Sequence, residues 1–179
     1  FAVVMLVSVG ALLSLIDANR KAQALHSVMD NLNIALDSMV RSIRMGSTYH
    51  CGSEVYGDYA VARDCASEGD TVLAIEPFGG DTTDPEDQWV YSFEEDESGI
   101  GRIYKSYKAE DDTLRSLPIT ASSVSIDSMK FYVAGAGTSG DTTQPKVVIT
   151  LKGTAGAEKV KTTTTFHIQA TAVQRILDL

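Results

Sequence analysis

The first 45 residues constrain this chain more than anything that follows them. An apolar run from Phe1 to Ile16, FAVVMLVSVGALLSLI, has no charge and no proline, and only Ser8, Gly10 and Ser14 interrupt it with small residues. It passes without a helix breaker into an amphipathic stretch that stops at Gly46. There Ala22, Leu25, Met29, Leu32, Leu36, Met39 and Ile43 recur at alternating three- and four-residue spacing, which puts them on one helical stripe. One helix of about 45 residues is roughly 65 Å long. No domain built from the rest of the chain covers such a rod, so part of it is expected in lipid or among neighbouring copies.

The 179 residues suit one compact domain plus this appendage. The reading is a helix over 1–46 and a head over 47–179, whose about 134 residues suffice for a core. The net charge of −9 and pI near 4.7 argue against a nucleic-acid site, which needs clustered Lys and Arg. Acidity concentrates after residue 53, while the helix carries Arg20, Lys21, Arg41 and Arg44. The apolar run spans about 24 Å, short of the roughly 20 residues a lone membrane crossing needs. It is ample as one member of a helix bundle. Because the run is still present, a cleaved secretory signal is a poor account of it.

Cys51 and Cys65 are the chain's two cysteines and close a loop of about 15 residues just after the helix. In a membrane-anchored chain a disulfide is the favoured reading, against a pair of buried thiols or half of a metal site. His26, His50 and His167 are scattered and no Cys-x-x-Cys occurs, so neither a zinc site nor any cofactor is expected.

After a Gly-, Ser- and Tyr-rich connector over 47–70, strands are predicted at Thr71–Pro77, Gln88–Glu94, Gly101–Lys108, Ser123–Val133, Lys146–Lys152 and Thr162–Arg175. Val147, Ile149 and Leu151 alternate with Val148, Thr150 and Lys152, and Phe166, Ile168, Ala170 and Ala172 with polar partners. The intervening segments 79–86, 96–101, 109–113 and 135–145 have turn composition. Helix first and consecutive strands after it imply an α+β fold with an antiparallel sheet. The stripe from Leu25 to Ile43 should pack on that sheet, with Phe131, Val147, Ile149, Leu151, Phe166 and Ile168 as partners. Phe1–Ile16 should project beyond it.

With the whole stretch FAVVMLVSVGALLSLIDANRKAQALHSVMDNLNIALDSMVRSIRMG in view, the chain resembles a mature type IV pilin, or a related minor pilin or pseudopilin. The closing QPKVVITLKG and TTTTFHIQATAVQRILDL also resemble the last strands of pilin-like proteins. The resemblance implies a long helix on an antiparallel sheet and no enzymatic role. It also implies a subunit held in the cytoplasmic membrane before assembly, then packed with copies of itself into an extracellular filament for adhesion, motility or DNA uptake. Phe1, Val4, Leu6, Val9, Gly10, Leu12, Leu13, Ile16, Asp17 and Arg20 are the candidate assembly residues. One departure stands out: family members carry a glutamate near the amino terminus where simple counting finds Met5. That leaves a non-standard subunit or a chain with residues ahead of Phe1, and the shortness of the run favours the second.

Other features have plain readings beside sharper ones. Gly10 costs about 1 kcal/mol in a helix relative to Ala and would permit close helix approach or local melting. Asp17 is spaced to pair with Arg20 or Lys21 within the helix, or with another subunit. The acidic segments Asp81–Asp87, Glu94–Glu97 and Glu110–Asp112 offer oxygens to Ca²⁺, but none has EF-hand spacing, so they read as solvated loops. Thr138–Thr143 and Thr162–Thr165 offer sites for O-glycans, though the second better continues a strand. No Asn-x-Ser/Thr sequon, nucleophile elbow, phosphate loop or dinucleotide turn occurs.

A second reading, a monomeric binding module tethered by the helix, remains beside the filament subunit. A tether tolerates a flexible linker and needs no stripe continuous with its anchor. The absence of a Pro/Gly/Ser linker between anchor and head favours the filament.

Overall fold

The computed structural model describes residues 2–54, 59, 61–81, 84, 86–109, 111, 113–122, 124–137, 143–155 and 164–175. Phe1, the acidic Glu110 and Asp112, most of the 138–143 tract and Thr162–Thr163 therefore lie outside the described residues, as do the expected strand starts at Ser123 and Thr162.

Among the described residues a single helix, α1 (Ala2–Met45), is followed by eight strands: β1 (Ser47–Gly52), β2 (Val72–Glu76), β3 (Trp89–Glu95), β4 (Gly101–Lys108), β5 (Leu114–Pro118), β6 (Val124–Ala134), β7 (Lys146–Ala155) and β8 (Thr164–Val173). The α+β architecture is as the helix-then-strands order implies. It is built from two antiparallel meanders instead of one sheet: β1-β2-β3-β4-β5 and β6-β7-β8.

Two strands escaped the sequence reading. β1 was hidden in the connector because STYHCG is short and polar, and it pairs with β2 through a bulge between Ser47 and His50. β5, LRSLP, is exposed along its whole length and carries a proline, which suits an edge strand. Neither has the one-sided alternation that marks a half-buried strand.

The lower half of α1 lies against β7 and β8, and one continuous core joins it to both sheets. Leu32, Leu36, Met39 and Ile43 are buried there with Phe131, Val147, Ile149, Leu151 and Phe166. The stripe differs from expectation at its start. Ala22 is exposed, Leu25 and Met29 are only half-buried, and Val28 and Ala35 are buried instead. A straight helix drifts about 20° per heptad from a strict 3.5 repeat, so the buried line slides across the heptad positions. Val28 and Ala35 flank Leu32 on the face that this drift turns inward.

The end of the helix is fixed by three contacts. Tyr49, buried, shares its one hydroxyl proton between Ile43 O at 2.6 Å and Gly46 O at 3.0 Å. The Arg175 N–H reaches Arg44 O at 2.8 Å, so the exit of β8 covers the same terminus. These bonds satisfy carbonyls that a helix end leaves open. Gly46 does stop the helix, but through close approach: a Cβ there would meet Glu76 O at 2.7 Å and Ser42 O at 3.1 Å.

Stability should follow this packing. Leu32→Ala or Leu36→Ala should cost about 2–5 kcal/mol. Asp37→Ala, on the exposed side of the helix, should cost under about 1 kcal/mol. Urea unfolding of the detergent-solubilised chain measures both.

Candidate assembly and membrane face

Among the described residues before Leu25 only Ala24 is even half-buried, and the first fully buried helix residue is Val28. Ten large apolar side chains of the upper half stand in the open: Val3, Val4, Met5, Leu6, Val7, Val9, Leu12, Leu13, Leu15 and Ile16. They surround the helix, with Leu6 74 % exposed and Leu12 57 %. At roughly 1.5–3 kcal/mol for each such side chain moved out of water, their burial is worth on the order of 15–30 kcal/mol. A surface of that size is not left in water. By length and composition α1 is also able to cross a membrane, and its apolar window has no residue buried inside the protein.

The candidate assembly residues Val4, Leu6, Val9, Leu12, Leu13 and Ile16 thus all lie on this bare segment, and Phe1 is outside the described residues. Gly10 has open space around it: a Cβ would meet nothing within 4 Å. Nothing among the described residues therefore requires a glycine there. Asp17, Arg20 and Lys21 follow as an exposed polar collar. The expected pairing of Asp17 with Arg20 or Lys21 does not form, and the ion pairs among the described residues all lie in the head. Exposed side chains of this length lose about as much rotamer freedom as such a pair returns. The collar's charges are left available to groups outside the chain.

At the other end of the rod, Cys51 and Cys65 form the expected disulfide, with their Cα atoms 4.9 Å apart. Their loop joins the two sheets. Arg63 donates to Tyr49 O and accepts from Cys51 N–H along the edge of β1. Cys65 N–H and Asp70 N–H then bond Val133 O and Phe131 O on the edge of β6. Asp70 lies beside both sulfurs, but the sulfurs are bonded to each other and offer no thiolate to a metal.

Sequence reasoning missed one arrangement in the head. Lys105 sits 3.1 Å from the centre of the Trp89 ring, and burial pulls its amine down to about 8. The cross-strand placement that brings them together depends on the β3–β4 register, which residue spacing alone does not reveal.

No protein-family model matches the chain, and no curated protein or solved structure matches it either.

Because the disulfide closes the segment that ties the two sheets, Cys51→Ser with Cys65→Ser should lower stability by about 3 kcal/mol. Protease should also cut more readily between residues 53 and 71. Non-reducing denaturation and limited proteolysis give the two readings, with mass spectrometry of the unreduced chain checking the link.

Proposed function

We propose that this chain is a structural subunit of a type IV pilus-like filament, displayed outside the cell and assembled through its apolar helix. Before assembly the same helix holds the subunit in the cytoplasmic membrane. In the filament, copies of the chain replace lipid around Val4, Leu6, Val9, Leu12, Leu13 and Ile16. The heads tile the outside, and the collar of Asp17, Arg20 and Lys21 marks the mouth of the apolar core.

One observation carries this reading. The bare apolar segment and the stripe buried in the head are parts of one unbroken helix, Ala2–Met45. An anchor on a flexible linker would leave the head free to tumble. A continuous helix fixes each head at a set height and angle relative to the apolar segment, which repeated packing of identical subunits requires. The tethered-module reading gains no comparable support, since nothing in a monomeric receptor calls for rigidity between anchor and head.

Leu12→Lys in the full chain tests the proposal. An ammonium without a partner inside an apolar bundle costs several kcal/mol per subunit, so filaments should disappear while the head keeps its fold. Electron microscopy of sheared surface material, with circular dichroism of the purified variant, reads both. Filaments at normal yield would contradict the proposal.

A further inference from the structure

Glu76 closes β2 in a position that does not suit a lone carboxylate. In the run VLAIE every residue is buried, so the strand is covered on both faces. Leu73 and Ile75 enter the main core, while Val72 and Ala74 join Tyr59 and Val90 in a second cluster on the opposite face. Alternation puts Glu76 on that second face, and it is only 1 % exposed. As carboxylate oxygens, neither of its two meets a donor among the described residues, and the group that faces them is the Asp87 carboxyl. Asp87 brings a further buried oxygen without a donor, Oδ1, while its Oδ2 accepts the Asp81 N–H at 2.8 Å. Both carboxyl groups lie over Gly80: a Cβ there would run into Glu76 Oε1 and come 3.1 Å from Asp87 Oδ2. Asp84 stands in the same loop, where its Oδ1 accepts the Glu86 N–H.

We infer that the Glu76 and Asp87 carboxylates, with oxygens of residues 77–81 in the turn that follows β2, form a binding site for a divalent cation of the calcium class. Once both groups are ionised, the orphaned atoms on these two side chains are carboxylate oxygens, the ligands a hard cation prefers. Ca²⁺ takes about 6–8 oxygens in flexible geometry, a demand that two carboxylates, loop carbonyls and water meet together. Gly80 fits the same account, because any side chain at that position would fill the space between the carboxyl groups. The group that distinguishes this place from the acidic run Asp81–Asp87, read as a solvated loop, is Glu76, which lies outside that run and is buried. The site does not depend on filament assembly.

A proton competes for the same oxygens. Burial first, then the facing Asp87 through its charge and through a proton the two carboxyl groups can share, with Asp81 and Asp84 adding to it, pushes Glu76 up to about 7. With its folded value raised, Glu76 favours the folded state at pH below about 4.5 and loses that contribution as pH rises through about 7. Cation binding should strengthen over the same rise, as the proton leaves.

Thermal unfolding of the full chain in detergent at pH 8 tests the site, in CaCl₂, in EDTA, and in NaCl matched for ionic strength. Calcium at about 100 times its dissociation constant should raise Tm by roughly 5–10 °C over EDTA. The rise should shrink at pH 5.5 and be smaller in MgCl₂. Glu76→Gln should abolish the calcium shift while its Tm in EDTA equals or exceeds that of the wild type. Asp87→Asn gives the same reading if Glu76→Gln does not fold, and Glu97→Gln, in an exposed acidic turn, should keep the full shift. Equal Tm in calcium and EDTA would leave a proton-sharing pair and overturn the inference. So would a shift reproduced by NaCl, or one that survives Glu76→Gln.

Discussion

The burial of Leu32, Leu36, Met39 and Ile43 against the two sheets is the contact on which the rest of the molecule depends. It turns a long helix from an appendage into part of the core. The helix end is then fixed by Tyr49 and Arg175, and β1 begins two residues beyond it. From β1 the disulfide-closed segment reaches the edge of β6, so the sheets meet through the same short region. Loosening the helix would expose one face of β7 and β8 and free the turn from which the five-stranded sheet starts.

That anchoring gives the upper half of the helix its character. Its apolar side chains have no cover among the described residues, and the backbone beneath them has no joint at which to fold back. Lipid and neighbouring helices are the two environments that bury such a surface without breaking it. They also exchange easily, because lipid tails and leucine side chains are alike in polarity and close packing decides between them. In the proposed assembly the rod passes between the two without refolding its head.

Much of this was legible in residue order. The helix was marked by an uninterrupted apolar and then amphipathic pattern, and β4 by its turn-bounded run, so both have the expected limits to within a residue. Long-range alternation in β7 and β8 correctly named the face that meets the helix. The pattern failed where burial is not periodic: β1 is polar and β5 is exposed on every residue. It failed also where both faces are covered. Glu76 ends an apolar run and reads as the start of a solvated loop, and only the second cluster behind β2 reveals that it is buried. Division of the strands into two sheets was equally hidden, since consecutive antiparallel strands give the same pattern in one sheet or two.

Contact between apolar helix segments of different copies is the central claim, and a distance between copies tests it most directly. A nitroxide attached through Leu12→Cys leaves the native cysteines untouched, because both are bonded to each other. Spectra of the labelled full chain would be compared between assembled surface material and the chain dispersed in excess lipid. The account predicts strong dipolar broadening in the assembled material, relieved by dilution with unlabelled chain and absent in lipid. Spectra without broadening in both states would contradict it and leave the helix as an anchor alone.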